Sequence, residues 1–351
     1  MDRTTLGQGG IEVSAVCLGT MTYGHQTGDQ DAFDQMDRAL DAGITLFDCA
    51  EMYPVNPVRA ETVGDSERII GAWLRQRGTR NRTRIATKVT GPNPAVRGGQ
   101  GYDGATIGTR VDESLARLGV ERIDLYQLHF PLRPTYHFRK VWTWDPTGQD
   151  RDAVLAHMDE VMAALAAQVR AGKLGHVGLS NETAWGTARW AEAAARHGLR
   201  LASIQNEYSL LARLWDADMA EAAAMEGLVL LAYSPLAAGA LTGKYAGGAR
   251  PAGSRAAVDM AFGGNGTLNG RLTSRAEVAV AAYHAVAARH GLDACSMAIA
   301  FLRHRPCPTI PIIGATSVAQ LQPLLDGLDL VLSPEVLDDI ATAYRAHPQP
   351  F

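Results

Sequence analysis

The chain has 351 residues, 46% of them apolar and 20% charged, and its 33 basic and 37 acidic side chains leave a net charge of −4. That composition can fill a core and excludes a disordered chain, and no segment concentrates Lys and Arg as a nucleic-acid-binding face does. Cys17, Cys49, Cys295 and Cys307 form no CxxC pair, so neither a disulfide framework nor a metal site is expected, and a reducing cytoplasm suits them.

The N-terminal stretch MDRTTLGQGGIEVSAVCLG has no basic start leading into a long apolar run. The apolar stretch Leu228 to Leu241 is interrupted by Tyr233, Ser234 and Pro235, so neither export nor a membrane span is expected. Residues 4 to 14 carry Gln8, Gly9 and Gly10 between short runs, which predicts a hairpin plugging a barrel floor. Strand-length apolar runs then recur at 16–19, 46–49, 85–89, 123–129, 176–180, 203–207, 228–233 and 309–313. Between them lie amphipathic stripes such as Ile107, Val111, Leu115 and Leu118, or Met158, Val161, Met162, Leu165 and Val169. Near-continuous apolar strands alternating with such helices imply a parallel sheet, and eight units close into a (β/α)₈ barrel forming one domain over 1–351. Pro54 to Gly64, Gly91 to Gly104 with Arg133 to Asp150, and Gly247 to Arg271 break the rhythm and are expected as loops on the active face.

Chemistry in such barrels gathers at the carboxyl ends of the strands. Asp48 ends the second run, Tyr53 follows one short turn later, Lys88 lies near the end of the third, and His129 closes the fourth. A carboxylate, phenol, ammonium and imidazole at one mouth suit carbonyl reduction, given a separate hydride donor. A phenol near its ordinary pKa of about 10 is a weak acid at neutral pH, so a neighbouring cation is expected to lower it, and Lys88 is placed to do so. Asp48 would hold the ammonium, and His129 would hydrogen-bond the substrate carbonyl. Plainer readings exist: a half-buried loop tyrosine, a core histidine, and a structural ion pair between adjacent strands. Against them, only four of the 33 basic residues are lysines, and Lys88 lies inside an apolar strand.

The obvious dinucleotide motif misleads. Gly99, Gly101 and Gly104 match GxGxxG but lie ten residues past the strand, so the segment reads as a loop. Ser180, Asn181 and Gln205 end later strands and suit a carboxamide, Tyr233 offers a ring for stacking, and the small residues of Ser234 to Lys244 let backbone approach a pyrophosphate. Turn formation and helix capping account for the same residues equally simply.

GTMTYG, FDCAEMY, ATKV, IDLYQLHFP, GLSNET, QNEYSLL, LAYSPLAAGALTGKY and IIGATS together resemble the motifs of the aldo-keto reductases, and AEMYPV with SNETAWG resemble those of the bacterial Tas-like branch. The resemblance covers nearly the whole chain. It implies a TIM barrel that binds NADPH without a Rossmann fold, and places the family's tetrad at Asp48, Tyr53, Lys88 and His129. It sets Gly19, Thr20 and Met21 near the nicotinamide, Ser180, Asn181 and Gln205 on its amide, and Tyr233 on its ring. Ser234, Pro235, Leu236, Ala237, Gly239, Leu241 and Lys244 would wrap the pyrophosphate, and Gly314, Thr316 and Gln320 would approach the adenosine. Pro323 and Leu324 stand where the family usually has a Glu-Asn pair. Arg255 is the stand-in for a 2′-phosphate contact, with NADH left open. A small-molecule carbonyl or alcohol is the expected substrate, reaction direction and a homo-oligomer being left open. A Schiff-base aldolase using Lys88 and a regulatory cofactor-binding protein resembling the potassium-channel beta subunits are the rival readings. Tyr23, Tyr136, Trp142, Trp144 and Phe262 suggest an apolar-walled pocket for a ring-bearing or extended carbonyl, with packing lids as the plainer reading, and Arg133 and Arg139 read as solvated loop charges ahead of a contact to an anionic group.

Overall fold

The computed structural model describes residues 1–8 and 10–351, so Gly9 of the expected hairpin turn lies outside the described residues. The hairpin forms: β1 (Arg3–Thr5) pairs antiparallel with β2 (Glu12–Ser14). Eight parallel strands follow: β3 (Cys17–Gly19), β4 (Leu46–Asp48), β5 (Arg84–Val89), β6 (Ile123–Leu128), β7 (Leu174–Ser180), β8 (Leu201–Glu207), β9 (Val229–Tyr233) and β10 (Thr309–Ile313). They pair in chain order, and β10 closes on β3. Each expected run is a barrel strand, so the architecture is the (β/α)₈ barrel.

Helices α1 (Asp29–Asp41), α2 (Asp65–Arg77), α3 (Ile107–Leu118), α4 (Arg151–Arg170), α5 (Ala184–Arg196) and α6 (Met219–Glu226) join successive strands from β3 to β9. After β9 come α7 (Arg255–Ala261), α8 (Ser274–Arg289) and α9 (Ala294–Arg303), and after β10 come α10 (Val318–Asp326) and α11 (Pro334–Ala346). The segment 247–271 is therefore not all loop. Ser254 caps α7, its hydroxyl accepting from the Ala257 N–H, and the flanking Gly and Pro obscured this two-turn helix. Among the described residues no single helix is long and apolar enough to cross a membrane.

Strand alternation decides what reaches the barrel axis. Leu46, Ala86, Leu125, Leu231 and Ile312 form an inner cluster, and Leu6 and Val13 of the hairpin seal it from below. Residues between them, such as Phe47 and Tyr126, face the helices, with Phe47 packed on Trp73 of α2 at 5.3 Å. Two positions beyond each inner apolar residue the same face emerges at the carboxyl end. That register puts Asp48, Lys88, Gln127 and Tyr233 around one mouth.

Candidate active site

Lys88 is fully buried, and its ammonium uses all three donors. It donates to Asp48 Oδ2 at 2.6 Å, to the Cys49 carbonyl at 2.7 Å, and to the Tyr53 hydroxyl at 3.3 Å. Asp48 Oδ1 accepts from Gln205 Nε2 at 2.8 Å and from Gln127 Nε2 at 3.3 Å. A turn closed by the Tyr53 N–H on the Ala50 carbonyl brings the phenol back over the ammonium. His129 follows β6, its N–H donating to the Val89 carbonyl, and its ring meets that of Tyr53 edge-on at 5.7 Å. The four residues expected to meet do so.

Their protonation follows from burial and charge. Burial pulls the Lys88 ammonium downward, but Asp48 and Tyr53 together hold it above its ordinary value. Burial, helped by Lys88, drops His129 well below the ordinary histidine range, so the imidazole is neutral at pH 7. Tyr53 departs from expectation. Burial raises the phenol above 10, Lys88 pulls it down, and Asp48 cancels part of that pull. Desolvation is the largest of these effects and outweighs what remains of the Lys88 pull.

The residues expected around a cofactor lie on the same rim. Asn181 takes a left-handed backbone with φ 53; its amide donates to the His129 carbonyl and to Ser180 Oγ, and its oxygen accepts from the Tyr233 hydroxyl at 2.8 Å. Ser180 in turn donates to the Gln205 backbone carbonyl. The Gln205 side-chain nitrogen is spent on Asp48 rather than left free. Thr20 is likewise committed: its buried hydroxyl donates to the Asp48 carbonyl and contacts Ser66 Oγ, beneath the mouth rather than in it. Met21 is half-buried on the rim, its carbonyl accepting from the Val55 N–H. Gly19 ends β3 and Gly314 follows β10 in close approach to it, a Cβ on Gly314 falling 3.0 Å from the Gly19 carbonyl oxygen.

After β9, Ser234, Ala237, Ala238 and Gly239 have φ of 54, 49, 56 and 95. Non-glycine residues persist in that region where surroundings enforce it, commonly at ligand sites. Pro235 and Leu241 are buried beneath this run, Leu236 lies half-buried within it, and the exposed Lys244 holds its ammonium 3.4 Å from where a Gly239 Cβ would stand. Thr316 donates to the side-chain oxygen of the exposed Gln320. Arg255, at the start of α7, donates to the Asn56 amide oxygen at 3.0 and 3.1 Å, and burial with Arg271 nearby pushes it down to about 10. Among the described residues Arg255 makes no ion pair with a carboxylate. A small-residue cradle with two unpaired cations beside it fits a phosphorylated dinucleotide.

The sequence matches the model of the aldo/keto reductase family over residues 15–345. The chain belongs to that family. Among its relatives, this aldo/keto reductase is 42% identical over 346 residues to "Protein tas" of Escherichia coli, covering 97% of the chain and 96% of that protein. It is 32% identical to the "uncharacterized oxidoreductase YrpG" of Bacillus subtilis, covering 96% and 94%. It is 30% identical to "norsolorinic acid reductase stcV" of Emericella nidulans, covering 94% and 78%. It is an oxidoreductase of the Tas-like kind.

Several residues of this aldo/keto reductase escaped sequence reasoning. Gln127 sits between Asp48 and Gln205, two strand positions beyond inner residue Leu125, where the period-2 pattern points to it. Phe130 abuts the His129 ring at 5.4 Å, and Phe138 meets Phe130 edge-on at 6.4 Å. Of the aromatics expected to wall the pocket, Tyr23 is fully buried with its hydroxyl on Gln35, while Tyr136 and Trp144 pack on each other. Trp142 is exposed, and Phe262 reaches across to His25 and Arg59. Arg133 and Arg139 are not free solvated charges: Glu182 binds the first and Glu207 the second. The glycines after 97 form a loop pinned by Arg97, which pairs with buried Glu51 and donates to the Thr90 carbonyl.

Proposed function

We propose that the chain is an NADPH-dependent carbonyl reductase, working as one domain over 1–351, with Tyr53 as general acid. The observation that carries this reading is the Tyr53 hydroxyl lying 3.3 Å from a buried ammonium that is itself salt-bridged to Asp48, beside a neutral imidazole. When bound, the dinucleotide supplies a hydride from its nicotinamide. Tyr53 gives its proton to the oxygen as negative charge gathers there, and a phenol kept protonated through neutral pH always has that proton to give. Lys88 stabilises the phenolate left behind. Asp48, fixed by Gln127 and Gln205, keeps Lys88 charged and aimed. Neutral His129 hydrogen-bonds the carbonyl and orients it.

Ser180, Asn181 and Gln205 would hold the carboxamide, Tyr233 would stack on the nicotinamide, and Gly19 and Met21 would border it, with Thr20 bracing the strand from below. Ser234, Pro235, Leu236, Ala237, Gly239, Leu241 and Lys244 would cradle the pyrophosphate. Gly314, Thr316 and Gln320 would face the adenosine, and Arg255 the 2′-phosphate. Alcohol oxidation by NADP⁺ is the same path reversed. The four unpaired cysteines agree with a reducing cytoplasm. A Schiff-base aldolase fits less well, since Lys88 is held charged by three hydrogen bonds and has no lone pair to attack with. A regulatory binder with the same pocket would bind NADPH without turning over a carbonyl.

Fluorescence titration with NADPH and NADH, followed by an aldehyde, ketone and sugar panel read at the nicotinamide absorbance, tests this. Tighter NADPH binding with carbonyl-dependent oxidation is expected. Binding without turnover of any panel member would instead favour the regulatory binder.

A further inference from the structure

Beyond the proton donor, the mouth is built around a strained aromatic. Phe138 and Arg139 both take left-handed backbone, with φ of 57 and 64, a conformation that bulky residues rarely adopt without enforcement. Two anchors enforce it. On one side the His137 ring bonds the Glu182 carbonyl at 2.9 Å, just past the end of β7. On the other, Arg139 bonds Glu207 Oε2 at 3.0 Å at the end of β8, where Arg271 takes the second oxygen at 2.8 Å. Held between them, Phe138 keeps 46% of its surface exposed.

The ring is not exposed at random. It meets Phe130 at an interplanar angle of 85°, and Phe130 abuts His129, whose ring meets that of Tyr53. Gly91 makes room for Phe130, since a Cβ there would lie 2.6 Å from Phe130 Cε2. Two rings at right angles form a corner offering one aromatic face and one aromatic edge, which matches the quadrupole of a third, flat ring. An alkyl chain gains only area there. Arg133 and Arg139, which lie between or beside Phe130 and Phe138 in the chain, are each bound by a carboxylate, so neither guanidinium is left over for an anionic substituent.

We propose that the substrate is a neutral aryl aldehyde or ketone whose ring lies in the corner of Phe130 and Phe138, and that Phe138 is the residue that selects it. This rests on the carbonyl-reductase reading. The test compares kcat and KM for 2-naphthaldehyde and n-octanal in the wild type, Phe138→Ala, Phe138→Leu and Phe138→Trp, at saturating NADPH. The wild type favours the aryl aldehyde. In the Ala and Leu variants the kcat/KM ratio of aryl to alkyl falls about three- to tenfold, as loss of an aromatic pair gives, through a higher aryl KM. The octanal KM rises less, because an alkyl chain loses contact area but no ring pairing, and the Trp variant restores the ratio. An active wild type without aryl preference, or a preference surviving in both Ala and Leu variants, overturns the inference and leaves the reductase reading standing. A wild type that turns over a sugar of the panel but neither aldehyde overturns this inference alone, and one that oxidises NADPH with no panel member overturns the reductase reading with it.

Discussion

Replacing Lys88 by methionine keeps the length of the side chain and removes a charge that three partners depend on. Asp48 Oδ2 loses a donor at 2.6 Å and the Cys49 carbonyl loses one at 2.7 Å, both where water does not reach. Breaking a buried pair by removing one partner typically costs about 3–5 kcal/mol, because the other charge stays desolvated. Asp48 keeps the amides of Gln127 and Gln205 on its second oxygen, which places the expected loss near the lower end, about 3 kcal/mol. Adding Asp48→Asn removes the stranded charge, so the double variant should regain about 2 kcal/mol of that loss. Urea unfolding at pH 7 reads both. A Lys88→Met loss below about 1 kcal/mol, or a double variant no more stable than the single, would refute the view that the ion pair holds the mouth together.

Acid should act through His129. Its native pKa is depressed, so the unfolded chain takes up a proton first. Its contribution to stability is complete above pH 6.5, the ordinary value, and is lost as pH falls below it. Wild type should therefore lose up to about 1.4 kcal/mol per pH unit more than His129→Gln in that window, by urea unfolding at several pH values; parallel pH profiles would contradict the assignment. Gly91→Ala would push Phe130 aside from 2.6 Å and Leu132 from 2.8 Å. Both are loop side chains able to yield, so about 1 kcal/mol of stability is expected to go, with a raised KM for aryl aldehydes; an unchanged KM would show that Phe130 does not touch substrate.

The barrel was legible because its strands are near-continuous apolar runs of the right length, and strand alternation then fixes that Asp48 and Lys88 share a face with Leu46 and Ala86. Helix α7 was not legible, since Pro251 and the glycines around it look like loop and its seven residues are too few for a periodic stripe. Tyr23 was misjudged and Phe138 passed over for a related reason. Both sit in irregular chain, where side-chain direction depends on backbone angles that no periodicity reveals, and one is buried core while the other stands exposed beside Phe130. The net shift of Tyr53 needed the third dimension as well. A lysine nearby implies a lowered phenol, but the carboxylate behind it and the depth of the site reverse the sign.

The central claim is that Tyr53 delivers the proton, and Tyr53→Phe tests it most directly. With NADPH and an aldehyde that the wild type reduces, kcat at pH 7 should fall about 10²- to 10⁴-fold while the NADPH dissociation constant stays within about twofold. A variant that keeps wild-type kcat with NADPH bound would contradict the claim.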